Sequence, residues 1–198
     1  MRQSICKAQQ TRYLIDSQQV STAIFGYTAR VRVLGIDCGT EFTGYGIVDQ
    51  PTERDLAYVT CGTIRLSPKK PMAERLSQVH ATLNSVIAEF RPDMVAIEEV
   101  FYAVNAKSAL KLGQVRGVAM FTAAACGLKV AEYAPLSIKS AVVGYGRAEK
   151  SQVQLMVTTL LRLNAPPESP DAADALAIAI CHLHTWGTLQ RQAVAASK

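Results

Sequence analysis

The sequence lacks the features of a membrane protein and of a disulfide-stabilised one. No apolar run approaches the roughly 20 residues that cross a bilayer, because charged, polar or glycine residues interrupt each one. The five cysteines are odd in number and scattered, without a C-x-x-C pair that would suggest zinc or a redox centre. A chain of 198 residues, 49% hydrophobic and 19% charged, is therefore typical of one globular cytoplasmic domain with reduced thiols.

The sequence also has little excess charge. Its formal net charge is +5, and residues 1–30 hold four basic side chains and one acidic one, which leaves +2 for the rest. So small a charge does not by itself indicate a polyanion partner. A nucleic-acid surface would have to come from local clustering of basic residues.

Strand patterns dominate the first half of the chain after residue 30. The segments "VRVLGID", "TGYGIVDQ" and "DLAYVTCGTIRL" are predicted strands, and their short links favour an antiparallel meander. "RPDMVAIEEV" and "KVAEYA" are predicted as two later strands. Because these alternate with helical segments, the sequence predicts an α/β domain with a mixed sheet.

Helical periodicity marks the intervening segments. Met72 to Phe90 has one apolar face and Pro71 to start it. A long helix is predicted from about Asn105 to Cys126, ended by Gly127. Three further helices are predicted: within "SIKSAVVGYG", over Ser151 to Leu163, and from near Asp171 to about Trp186.

Four carboxylates occupy the ends of these elements. Asp37 ends the first strand, Glu98 ends the fourth, and Asp171 and Asp174 lie one turn apart at the start of the last helix. Strand alternation directs Glu98 and Glu99 to opposite faces, so one of the two can face a site built on the first strand.

Each of these acids also has a structural interpretation. Asp171 and Asp174 are suited to cap a helix, Asp37 to form a turn, and Glu98 to lie at a solvated strand end. Taken together, however, four carboxylates would repel one another without a cation. Oxygen donors are what Mg²⁺ prefers, and a pair of such ions can promote phosphodiester cleavage.

Four collinear stretches carry a resemblance to a known family. "LGIDCGTEFTGYGIV", "AIEEVFYAVNAKSALKLGQVRGVA", "VVGYGRAEKSQVQLMV" and "DAADALAIAICH" resemble the RuvC family of bacterial Holliday-junction resolvases, within the ribonuclease H-like superfamily. The likeness covers about residues 31 to 186. It implies a ribonuclease H-like fold, in which three antiparallel strands and then parallel strands form a five-stranded mixed sheet flanked by helices.

The resemblance also implies an activity and its partners. The implied activity is that of an endonuclease that nicks two opposing strands of four-way junction DNA symmetrically. It depends on Mg²⁺, with two ions per site, and Mn²⁺ is a substitute. The expected protein partners are a second copy, bound through the long helix 105–126, and the RuvAB branch-migration complex. The catalytic and metal-binding residues carried over are Asp37, Glu98, Asp171 and Asp174.

Aromatic and basic residues around the acids suggest DNA contacts. The resemblance assigns such a contact to Phe101, and DNA-contact or catalytic-support roles to Lys139 and Lys150. Clustering near the acids adds further candidates for holding phosphate, namely Lys107, Lys111, Arg116 and Arg147. The alternatives are core packing for the aromatic and solvated surface for the cations.

Two histidines follow the acids on the last helix. His182 and His184 do not face together at alternate helical positions, so we predict surface or dipole-complementing roles for them.

Three other functions remain open from the sequence. "GIDCGTEFTGYG" also resembles the first phosphate loop of sugar kinases and actin-like ATPases, but the chain is too short for their two domains. A non-catalytic DNA-binding scaffold would use the acids as helix caps. A ribonuclease H-like nuclease that acts on structured RNA would need the same acids.

The resemblance suggests domain limits as well. It begins at Val31, and because bacterial translation can start at a GTG codon, we hypothesise that residues 1–30 are an extension that is disordered or not native. An Arg-bearing organellar address is the alternative. We expect residues 31–187 to form the nuclease domain and residues 188–198 to form a flexible tail.

Overall fold

The computed structural model describes residues 30–52, 55–99 and 106–196, with side chains described as far as residue 188. Its sheet has the strand order β3-β2-β1-β4-β5. β1 pairs antiparallel with β2, and β2 antiparallel with β3, whereas β1, β4 and β5 run parallel. The predicted five-stranded mixed sheet is therefore confirmed. The strands are Val31–Asp37 (β1), Phe42–Gln50 (β2), Ala57–Arg65 (β3), Met94–Glu98 (β4) and Lys129–Tyr133 (β5).

Helices cover both faces of the sheet. On one face, α1 and α2 pack against Leu34, Ile36 and their neighbours. On the other face, α3, α4 and α5 pack against Val33 and Ala96. The helices are Met72–Phe90 (α1), Ala106–Ala125 (α2), Pro135–Val143 (α3), Lys150–Leu160 (α4) and Pro170–Ala196 (α5).

Side-chain alternation in β1 and β4 decides which acids share a face. Leu34 and Ile36 belong to the core under α1 and α2, so the odd positions of β1, ending in Asp37, face α5. The same alternation in β4 directs Glu98 toward α5. Both strands thus present their last acid to one side of the sheet.

Helix α5 lies unusually close to the sheet because two strands have glycine beneath it. A Cβ atom built on Gly35 would stand 2.0 Å from the Ala175 carbonyl oxygen, and one on Gly44 would stand 2.0 Å from that of Asp171. Since backbone atoms are the obstacle, a side chain at either position would push the helix away. The glycines therefore fix the height of α5 above β1 and β2.

The predicted end of the last helix is wrong. We expected it to stop near Trp186, but α5 continues through Ala196. The segment after Trp186 has one glycine and no proline, and most of its residues are Ala, Gln, Leu or Arg, which favour helix. Helix α4 differs in the other direction, since it ends at Leu160 and Arg162 takes a left-handed conformation with φ of 52°.

No helix of the described part of the chain is long and apolar enough to cross a membrane.

Candidate active site

Two strand ends bring the first pair of acids together. Ile36 of β1 lies opposite Ile97 of β4 in a parallel register, so the residues that follow, Asp37 and Glu98, leave neighbouring strands side by side. Both point toward α5. The predicted choice of Glu98 over Glu99 fits this geometry, because Glu98 lines the cleft described below and Glu99 does not.

The start of α5 supplies the second pair. Asp174 lines the same cleft as Asp37 and Glu98. Asp171 is not among the lining residues, although its charge acts on Asp37 and its carbonyl oxygen rests on Gly44. The structure therefore brings three of the four acids to one cleft and leaves Asp171 at its margin.

Two lysines face the acids from α3 and α4. The ammonium nitrogen of Lys150 lies 3.1 Å from Oδ2 of Asp174, and Lys139 lines the cleft beside it. Lys150 stands at the first turn of α4, whose start is fixed by a capping box between Glu149 and Gln152. The sequence prediction that these two lysines lie near the acids is in agreement with this placement.

Burial and mutual repulsion disfavour ionisation of the strand-end acids. The pKa of Asp37 is raised from 3.8 to about 7, chiefly by burial and secondly by the charges of the other three acids, while Lys150 acts in the opposite direction. Burial, followed by the charge of Asp174, raises the pKa of Glu98, while Lys150 and Lys139 lower it. The hydrogen bond to Asp174 raises the pKa of Lys150. The two lysines of the cleft thus offset the burial and mutual repulsion of the strand-end acids only in part.

The cleft is small and half apolar. It encloses about 160 Å³, which is room for several water molecules or hydrated ions. A DNA strand would therefore lie across its mouth rather than inside it. Its lining consists of Asp37, Glu98, Pro135, Ile138, Lys139, Lys150, Val153, Asp174, Ala177 and Ile178.

The donor chemistry of the cleft fits a hard divalent cation. Carboxylate oxygens are the protein ligands that Mg²⁺ uses, and a bound cation would offset the burial and repulsion that disfavour the ionised form of Asp37. Among the residues that the structure describes, however, no three His, Cys, Asp or Glu side chains already stand close enough together to hold a metal ion. Lys150 also forms an ion pair with Asp174. Metal binding would therefore require side-chain rotation.

The remaining predicted DNA contacts do not line the cleft. Arg147 is exposed in the turn between α3 and α4, and Lys107 and Lys111 are exposed on the first turns of α2. Phe101 falls within residues 100–105, outside the described residues.

Arg116 is not the free phosphate ligand that the sequence suggested. Its Nε donates a hydrogen bond to the carbonyl oxygen of Glu98 at 3.1 Å, and its other end forms an ion pair with Glu132. The sequence did not predict these two contacts, because Glu98 and Glu132 lie on strands that are distant from Arg116 in sequence.

A polar contact that the sequence analysis missed ties α5 to the sheet. The hydroxyl of Ser169 accepts a hydrogen bond from the Ala172 amide at 3.1 Å and also bonds the hydroxyl of Thr63 on β3. Serine before proline at a helix start is a capping signal, so Ser169 was detectable. Thr63 was not, since it pairs across 106 residues.

His182 is a second correction. It is only 3% exposed, so it is neither a surface nor a dipole-complementing residue. Its Nδ1 lies 2.7 Å from the hydroxyl of Tyr133, and its ring stacks on Trp186 at 6.4 Å between centroids. Burial lowers the pKa of His182 to about 4. A neutral histidine at this position packs α5 against β5 through its contact with Tyr133.

Comparison with protein families gives one match that spans most of the domain. The model described as "Crossover junction endodeoxyribonuclease RuvC" matches residues 33–182. The match includes the strand and helix ends that carry the four acids, as well as both lysines of the cleft.

Curated relatives and solved structures agree with it. A crossover junction endodeoxyribonuclease RuvC from Koribacter versatilis is 60% identical over 161 residues, which are 81% of this chain and 97% of the relative. One from Acidobacterium capsulatum is 58% identical over 168 residues, 82% of this chain and 98% of the relative. The structure of Thermus thermophilus RuvC in complex with a Holliday junction substrate is 34% identical, has a TM-score of 0.77, and covers 81% of this chain and 97% of that one.

Proposed function

Because the chain belongs to the RuvC family of crossover junction endodeoxyribonucleases, we propose that it resolves four-way DNA junctions by hydrolysing one phosphodiester bond in each of two opposing strands. The observation that carries this proposal is the convergence of Asp37, Glu98 and Asp174 on one cleft. With Asp171 at the margin, this acid set is suited to metal-assisted hydrolysis of a phosphodiester.

Mg²⁺ is the cofactor that the donor set favours, with two ions per site and Mn²⁺ as a substitute. The ligands would be Asp37, Glu98, Asp171 and Asp174, which side-chain rotation would have to bring together. Bound divalent ions supply charge for the developing oxyanion and lower the pKa of a water molecule.

The chain's own residues position the scissile phosphate. Lys139 and Lys150 offset the repulsion between the acids and a phosphate, because each places an ammonium group at the cleft. Ile138 and Val153 form an apolar wall that limits the entry of bulk water. The buried position of Asp37 makes it the carboxylate that gains most from a neighbouring cation.

Outer contacts would hold the junction arms. Arg147, Lys107 and Lys111 are exposed and can meet phosphates beyond the cleft, which makes affinity fall as salt rises. Phe101, which follows β4 by three residues, is the candidate for stacking on an unpaired base beside the cut site.

Symmetric nicking requires two sites, and α2 offers a surface for a second copy. Leu110 is 71% exposed and Phe121 is 65% exposed on its outer side. A Cβ atom built on Gly113 or Gly117 would have no other atom within 4 Å. A homodimer through α2 would cover these residues. The RuvAB branch-migration complex is the further partner, and the cytoplasm of a bacterium, where chromosomal junctions arise, is the expected location.

A junction-cleavage assay with two conservative substitutions tests the proposal. We expect Asp37→Asn and Asp174→Asn each to reduce the cleavage rate by about 100-fold or more in Mg²⁺, since each removes a charged ligand. Binding to the synthetic four-way junction without divalent ions should persist in both variants. Normal cleavage by either variant would contradict the metal-site assignment, and wild-type cleavage of structured RNA in preference to a junction would favour the RNA-directed alternative.

A further inference from the structure

Arg116 connects the long helix to the catalytic strand. From the middle of α2 its Nε donates to the Glu98 carbonyl oxygen at 3.1 Å, and its terminal nitrogen pairs with Glu132 of β5. The side chain is 17% exposed, whereas Lys107 and Lys111 on the same helix are exposed. Arg116 is thus engaged with the protein's own backbone.

The contact falls on the last peptide group of β4. The carbonyl of the Glu98–Glu99 peptide accepts from Arg116, and its amide donates to the Tyr133 carbonyl at 2.8 Å. A peptide held at both ends cannot rotate freely. Alternation along β4 directs Glu98 toward α5, and the two hydrogen bonds hold the peptide group that follows it in this strand geometry.

The ends of β1 and β4 both lie near this guanidinium group. Cys38, which follows β1, packs against the same core as α2, on the face of the sheet opposite α5. The positive charge therefore stands behind the strand ends, on the side away from the cleft. In that position it can orient an acid without competing for its carboxylate oxygens.

We propose that Arg116 is a positioning residue for the nuclease reaction, which holds the Glu98 carboxylate in the cleft through the backbone of β4. The inference rests on the proposed function, because it assigns a catalytic task to Glu98. Arg116 itself touches neither substrate nor metal in this scheme. Its effect should therefore be on metal binding and on the cleavage step, with junction affinity unchanged.

The test compares Arg116→Met with Glu132→Gln. Arg116→Met keeps the aliphatic stem and removes both hydrogen bonds, whereas Glu132→Gln removes the ion pair and leaves the bond to Glu98. In single-turnover cleavage with saturating enzyme, we expect Arg116→Met to be about 10- to 100-fold slower, the range seen when a residue supporting a ligand is lost. Glu132→Gln should cleave like the wild type.

Two further measurements distinguish positioning from general destabilisation. Mn²⁺ titration of the DNA-free protein, followed by electron paramagnetic resonance, should show weaker binding by Arg116→Met, and junction affinity without divalent ions should match the wild type. Arg116→Lys should restore part of the rate, because a single ammonium group can still reach one carbonyl but lacks the planar fork. If Arg116→Met does not fold, the same comparison is made between Arg116→Lys and Glu132→Gln.

Wild-type cleavage and Mn²⁺ binding by the Arg116 variants would overturn the inference while leaving the proposed function intact. A loss of rate equal in Glu132→Gln and Arg116→Met would also overturn it, since the ion pair rather than the Glu98 contact would then be responsible. Failure of the wild type to cleave a junction would instead defeat the proposed function.

Discussion

Asp37 illustrates a conflict between stability and function at a single residue. It lies at the buried end of β1, among three other acids, and its pKa is raised to about 7. When the pKa of a carboxyl group is higher in the folded than in the unfolded chain, its contribution to stability is fully present at pH values below the unfolded-state pKa. That contribution is lost as the pH rises through the folded-state pKa.

Asp37→Asn should therefore stabilise the metal-free protein at alkaline pH. In chelator at pH 8, we expect its free energy of unfolding to exceed that of the wild type by up to about 4 kcal/mol, from roughly 1.4 kcal/mol per unit over about three units of pKa. Near pH 4 the two proteins should be nearly equal. Urea denaturation across this pH range is the measurement.

The control for this prediction is Glu89→Gln, which replaces an exposed carboxylate on α1. It should show no comparable gain at pH 8. A wild type that is as stable as Asp37→Asn throughout the range would show that the charge of Asp37 costs nothing on folding.

Local sequence patterns identify some residues of the site and miss others. Asp37 and Glu98 were predictable because strand alternation and strand ends are local properties. Arg116 and His182 were mispredicted, because the Glu98 carbonyl and the Tyr133 hydroxyl reach them across 18 and 49 residues. Such contacts depend on the packing of whole elements, which single-residue patterns do not contain.

At the scale of elements, the close contact of α5 with β1 and β2 controls where its acids stand. The contact is between backbones, with Gly44 directly under Asp171. Leu176 and its neighbours then anchor the helix in the core, with Leu176 fully buried. Placement of the acids therefore depends on residues that carry no functional group.

Gly44→Ala should damage both the fold and the activity. Its Cβ would stand 2.0 Å from the Asp171 carbonyl oxygen, so α5 must shift, at a cost of about 1–3 kcal/mol or more. We expect a lower denaturation midpoint and slower junction cleavage. Gly62→Ala is the matched control on β3, because its Cβ would meet only the outer ring atoms of Tyr45, which can move.

Equal effects of Gly44→Ala and Gly62→Ala would contradict the role given to the close contact. Thermal melting and single-turnover cleavage, measured on both variants, decide between these results.

Element boundaries were predictable where the pattern was strong. The limits of α1 agree with the prediction, because its apolar face and Pro71 mark them. The extension of α5 past Trp186 was not predicted, since the apolar periodicity ends there and only the helix propensity of single residues continues. The close approach of α5 to the sheet could not be predicted either, because the glycines in β1 and β2 do not indicate which helix packs against them.

At the scale of the whole molecule, the sheet separates two tasks. One face, with α3, α4 and α5, builds the cleft, while the other carries α1 and α2. Helix α2 buries Val115 and Ala119 beneath it and leaves Leu110 and Phe121 exposed. A second copy on α2 would thus leave the cleft open to DNA.

If the proposed homodimer forms through α2, charge placed on the exposed side of this helix should separate the two copies. We expect Leu110→Glu and Phe121→Glu to yield monomers, since burying the new carboxylate against an apolar partner is costly. Light scattering after gel filtration gives the mass. The monomers should make single nicks in a cruciform plasmid, where the wild type makes paired ones.

Leu155→Glu provides the control for the dimer prediction. Leu155 on α4 is 65% exposed, the same fraction as Phe121, but lies on the opposite face of the sheet. This variant should keep the mass of the wild type. An unchanged mass in the α2 variants would place the dimer interface elsewhere.

The stacking of Trp186 on His182 makes tryptophan fluorescence a probe of how α5 packs. Trp186 is the only tryptophan of the chain, so all indole fluorescence originates from α5, the helix that begins with Asp171 and Asp174. Loss of the packing against His182 exposes the indole to water and shifts its emission. The emission maximum of Trp186 therefore indicates whether α5, which carries two of the four acids, is packed on the sheet.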